Sequence, residues 1–121
     1  MWILTQHGAY SVVAYDPERD LADGPNHPTG THLLVRGRAD RDIEALRRWI
    51  PDLEVNEDRT ADYRYRSVLS RTDWVRAMAS EAAVIDYTTD FKGRVGEVLG
   101  SDREGLYTQV WGILRGIRED E

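Results

Sequence analysis

The residues of this 121-residue chain best equipped for chemistry are arginines and tyrosines on two stretches of alternating character. In the first, His32, Leu34, Arg36 and Arg38 share one face of an extended segment, while Leu33, Val35 and Gly37 share the other. In the second, Tyr63, Tyr65 and Ser67 alternate with Arg64, Arg66 and Val68. If the two segments are neighbouring strands, Arg36 and Arg38 stand beside either the tyrosines or the second arginine pair. A guanidinium presents a planar fork of donors that matches phosphate or carboxylate, and an aromatic ring can stack a base. The expected chemistry is therefore the binding of an anionic ligand by Arg36, Arg38, Tyr63, Tyr65 and Arg66. A nucleotide, a single-stranded RNA or an acidic protein segment fits that description. The competing reading, which the acidic total favours, is that Glu54, Asp62 and other acids neutralise these arginines, or that the C-terminal helices cover the face.

A second group is Asp86, Tyr87 and Lys92, an acid, a phenol and the only lysine within seven residues. They can build a small polar site, and an enzyme using them is the third-ranked reading. The plainer expectation is a helix junction, with Asp90 at a helix N-terminus and aromatics plugging the core. His27 and His32 are five apart across Pro28 and Gly30, which matches no metal signature. No G-x-S-x-G, Walker A, G-x-G-x-x-G or H-E-x-x-H motif occurs. Catalysis has no positive support, and neither a metal nor a cofactor is expected.

Hydrophobic residues make up 40% of the chain and charged residues 31%, the balance of a globular protein. The formal charge of −6 argues against a general nucleic-acid binder working by bulk electrostatics. Arginine supplies 15 of the 16 basic residues, which suits forked anion recognition, although GC-rich codon usage with solvated surface arginines is the plainer reading. There are no cysteines, which excludes disulfides, thiolate metal sites and a cysteine nucleophile. No apolar run approaches the ~18 residues of a membrane span. These features fit a cytoplasmic protein of one domain, 1–121, with no membrane role. Its expected partner is an anionic small molecule or a protein, and a homodimer is compatible with the sequence.

The elements that must position these residues follow from periodicity. Residues 9–15 read as a strand with a short partner at 2–5, and 16–30 as a long loop holding Pro17, Pro25 and Pro28. Residues 32–38 form the next strand. Asp40 then caps a helix with Ile43, Leu46 and Ile50 on one side, closed by Pro51. Residues 53–56 and 63–69 read as strands around a turn at 57–61. Ser70 or Thr72 caps a helix from 73 to about 85, with Trp74, Val75, Met78, Ala82 and Ile85 as its apolar positions. Two more helices follow, the first ending at Gly100. Ser101 caps the second, with Leu106, Val110, Ile113, Leu114 and Ile117 as its buried stripe and Tyr107 and Trp111 flanking.

A right-handed strand–helix–strand crossover leaves room between its strands for the 63–69 strand. The predicted class is α+β: a four-stranded antiparallel sheet with helices on one face, a permuted ferredoxin-like sandwich, plus two C-terminal helices. The arginine patch then lies on the face away from the first two helices.

The stretches Met1–Val13, Leu34–Arg38, Asp62–Arg66, Ile85–Lys92 and Tyr107–Trp111 together resemble a family of short, uncharacterised bacterial proteins. These begin Met-Trp-aliphatic-x-Thr and carry downstream DYxYR and (N/D)FK motifs. Gln6-His7 stands here where that family has a basic residue and an aromatic, and Asp90 where it has Asn. The resemblance implies candidate residues and no activity. A protein-interaction module, an inhibitor or a subunit, acting through the open sheet face or the last helix, is the alternative to an anion-binding protein.

Overall fold

A computed structural model describes residues 1–20 and 30–118; most of the predicted proline-rich loop, with Gly24, Pro25, Asn26, His27 and Pro28, lies outside them. The strands are β1 (Trp2–Leu4), β2 (Ala9–Ala14), β3 (His32–Gly37), β4 (Asn56–Glu57) and β5 (Tyr65–Ser70). The helices are α1 (Asp40–Glu44, continued by a 3₁₀ turn at Ala45–Arg48), α2 (Arg71–Ala83), α3 (Phe91–Leu99) and α4 (Ser101–Leu114). The chain divides into two compact units: Met1–Ile3 with Gly8–Ile85, and Leu4–His7 with the chain from Asp86 onward.

The sheet has five strands, in the order β1-β2-β3-β5-β4. The α+β class and the insertion of β5 between β3 and β4 follow the crossover argument. The count is five rather than four because β1 adds to the edge at β2, where Met1 and Val12 exchange two backbone hydrogen bonds of 2.7 Å. β4 shrinks to two residues. Leu53 leaves the predicted 53–56 strand for the core, while Glu57 joins β4 opposite Tyr65 instead of turning.

In the first unit Val12 and Val35 are register partners, and so are Leu33 and Leu69. This sheet face packs on Ile43, Leu46 and Ile50 from the α1 segment and on Trp74 and Ala77 from α2. The edge of Trp74 meets Tyr10 at 5.9 Å. Each such aliphatic or aromatic side chain contributes roughly 1.5–3 kcal/mol by leaving water.

Ser70 caps α2 by accepting from the Asp73 amide at 3.1 Å. Asp40 does not cap α1: it is the first helical residue, after an extended Ala39 that makes no side-chain cap bond. Ser101 likewise is the first residue of α4, following Gly100 at φ +100°, a backbone conformation that favours glycine. In α2 the inward positions are Trp74, Ala77 and Glu81, while Val75, Ala82 and Ile85 are exposed. Glu81 is tolerated inside because its Oε1 accepts from Trp49 Nε1 at 3.1 Å.

The second unit stacks three rings, Tyr87 on Phe91 and Phe91 on Tyr107, each pair 5.7 Å apart. Val95, Leu99 and Tyr107 are its buried side chains on α3 and α4. The predicted α4 stripe is corrected accordingly. Tyr107 points inward and donates to Thr5 O at 3.2 Å, so Leu106, Ile113, Leu114 and Ile117 are exposed and Val110 half-buried. No described helix is long and apolar enough to cross a membrane.

Candidate functional site

On the sheet face turned away from α1 and α2, one row of polar residues crosses four strands. Ser11, Arg36, Arg66 and Asn56 are successive register partners across β2, β3, β5 and β4. Direct antiparallel partners project to the same side, so the register resolves the question left open by alternation. In register Arg36 neighbours Arg66, not Tyr65. Tyr65 stands opposite Gly37 on the other face, packed against the core, with the Arg64 guanidinium 5.4 Å from its ring.

Arg36 is half-buried. Its Nη2 donates to Ser11 Oγ at 2.9 Å, its Cζ lies 4.8 Å from the Tyr63 ring centroid, and its buried Nε finds no acceptor. No carboxylate comes within ion-pair distance of it among the described residues. Arg66 is better supplied: Nη1 lies 4.0 Å from Asp58 Oδ2, and its side chain is only 14% exposed. Asp20, itself buried, also feels the Arg66 charge. Burial pushes the Asp20 carboxyl up, but hydrogen bonds from Arg19 and the Asp16 amide, with the charges of Arg19 and Arg66, hold it below the ordinary carboxylate range.

Arg38 behaves as the neutralised alternative expects. It makes a two-pronged pair with Asp62, 2.7 and 3.2 Å, and lies 4.3 Å over Tyr63. The pairing raises the Arg38 guanidinium and lowers the Asp62 carboxyl. Both are well exposed, so the pair contributes little stability. Tyr63 is thus taken up by two guanidinium groups. Nor is the face bare, since Leu34 and Ser11 on it are buried.

Asp86 and Tyr87 are brought together, but around Arg94. Arg94 Nη1 contacts Asp86 Oδ1 at 2.6 Å and Gln6 Oε1 at 3.3 Å, and its guanidinium lies 5.7 Å from the Tyr87 ring. Lys92 goes elsewhere, with Nζ 4.3 Å from the Trp111 ring centroid on α4. Residues two apart on a helix do not face each other, which keeps Lys92 away from the Arg94 cluster. Asp90 caps α3, accepting from the Gly93 amide at 2.8 Å, as the junction reading expects.

Sequence reasoning missed Ser11, Asn56, Asp20 and Arg94. Carrying the alternation of β2 into register with β3 would have found Ser11. No spacing joins Arg94 to Gln6, which is 88 positions away in the chain. Among the described residues no cluster of three or more histidines or carboxylates is placed to hold a metal. In comparison with known proteins, no family model matches the chain, and no curated protein or solved structure matches it either.

Proposed function

We propose that this protein is a small binding protein that takes a compact anion on the sheet face between Arg36 and Arg66. One observation carries the reading: Arg36 faces a second arginine, keeps a buried Nε–H without an acceptor, and has no carboxylate within ion-pair distance among the described residues, Asp62 feeling its charge only from further away. A buried donor left unmet costs about 1–3 kcal/mol, and like charges directly opposite add to that. A phosphate or carboxylate between the two guanidinium groups relieves both. With Tyr63 occupied by Arg36 and Arg38, and Tyr65 on the core side, the site favours an anionic group over a stacked base.

A thermal-shift series with phosphorylated metabolites, nucleotides and dicarboxylates at low and high salt tests this. A ligand at 100 times its dissociation constant stabilises the fold by about 2.7 kcal/mol. The expected result is a salt-sensitive stabilisation that disappears in Arg36→Gln while the circular dichroism spectrum is unchanged. A flat series, or a hit indifferent to Arg36→Gln, overturns it.

The exposed apolar residues Leu106, Ile113 and Leu114 on α4 favour a second reading, a protein-interaction module. It expects a concentration-dependent oligomer or a bound partner that Ile113→Glu disrupts.

A further inference from the structure

Lys92 on α3 and Arg115, directly after α4, are two further cations with no ion pair among the described residues. Lys92 lies in the first turn of α3, and its Nζ is 4.3 Å from the ring centroid of Trp111 in the last turn of α4. Arg115, directly after α4, brings its guanidinium to 5.1 Å from the same centroid. Trp111 is 53% exposed, and nothing approaches within 4 Å of the place a Cβ would take on Gly112 beside it. Neither cation has an ion pair among the described residues, which leave out the acids Asp23, Glu119, Asp120 and Glu121. Arg94, on the same helix as Lys92, shows the contrast by engaging both Asp86 and Glu97. The acid nearest to Lys92 in sequence, Asp90, accepts from the Gly93 amide.

Two like charges drawn to one solvent-exposed ring repel each other, and the ring's quadrupole attracts each only weakly. One exposed ring thus gathers a lysine and an arginine. We propose that Lys92, Arg115 and Trp111 form a second binding site, for a phosphate group presented as free phosphate or a small phosphate monoester. A tetrahedral anion of charge about −1.5 to −2 offers oxygens to an ammonium and a guanidinium from different directions and balances both charges. A carboxylate has one oxygen fewer to share between the arginine fork and the lysine. Lys92 acts as the point charge, Arg115 as the fork, and the Trp111 indole holds both in place.

The test follows the Trp111 indole N–H by nuclear magnetic resonance in the full chain labelled at tryptophan nitrogen, with the signal assigned by its loss in Trp111→Phe. Inorganic phosphate and glycerol 3-phosphate are titrated separately, against sodium chloride at matched ionic strength. The expected result is a saturable shift with the phosphates and none with chloride, weakened about tenfold in Lys92→Gln and in Arg115→Gln. Tighter binding of the monoester identifies the ester as the ligand form, and equal binding identifies the phosphate group alone. Arg36→Gln should leave this titration unchanged, which separates its fate from that of the sheet-face site. A response equal to that of chloride, or one that survives in Lys92→Gln/Arg115→Gln with the fold intact, overturns the proposal.

Discussion

Arg36 on β3 and Arg66 on β5 are direct antiparallel partners, two guanidinium-bearing side chains on one sheet face. Among the described residues Arg66 comes within 4.0 Å of Asp58, while Arg36 makes no ion pair but its charge still helps lower the Asp62 carboxyl. The arrangement concentrates positive charge on one face, the compromise that the proposed anion site requires.

Arg36→Met keeps the apolar stem and removes the charge. The expected outcome is a gain of up to about 1 kcal/mol in urea unfolding, larger at low salt, together with loss of anion binding. A loss of stability would show that the Ser11 hydrogen bond and the Tyr63 contact outweigh the repulsion.

Gly8→Ala tests a close approach in the first unit. A Cβ there would stand 2.7 Å from Tyr10 Oη and 3.0 Å from Asp42 Cβ. The tyrosine hydroxyl donates to the Asp42 backbone oxygen at 2.8 Å, so it cannot move without breaking that bond. Overpacking of this kind costs roughly 1–3 kcal/mol, read as a lower midpoint in chemical denaturation.

The two side-chain caps should be separable. Ser70→Ala removes the acceptor for the Asp73 amide and should cost about 1 kcal/mol, with Ser70→Asp largely restoring it. Asp90→Ala removes the acceptor for the Gly93 amide, and its effect should appear as faster amide hydrogen exchange at the start of α3.

Acid should weaken the first unit through its depressed carboxylates. Hydrogen bonds from Arg38 hold Asp62 low, those from Arg64 and Arg59 hold Glu57 low, and the Thr60 hydroxyl and amide hold Asp58 low. A carboxyl lower in the folded than in the unfolded state stabilises above its unfolded value, near about 4, and that contribution disappears as pH falls through the folded value. Stability should therefore be level from neutral pH to about 5 and decline below it. The arginine partners stay charged throughout, so no compensating change arises from them. Asp20→Asn should flatten part of the decline, since its carboxyl is lowered as well.

Much of the fold is legible in the sequence. Alternation in 9–15, 32–38 and 63–69 marks strands, and the chirality of the crossover places β5 between β3 and β4. Ser70, Asp90 and the glycine at 100 mark helix boundaries through local chemistry within four residues. These signals are short-range, which is why a sequence carries them.

Other features depend on where distant segments meet. Periodicity shows that α4 has an apolar stripe, but a helix does not record which side meets its neighbours. Tyr107 won the inward position through Phe91 and Thr5, leaving Leu106 and Ile113 outside. Alternation likewise offered two partners for Arg36, and only the register of β3 with β5 chose Arg66 over Tyr65. By itself, then, the sequence determined the element types, the strand order and the supply of arginines. The tertiary structure alone decided which arginine met an acid, because ion pairing is a matter of a few ångströms between side chains that the chain separates by dozens of residues.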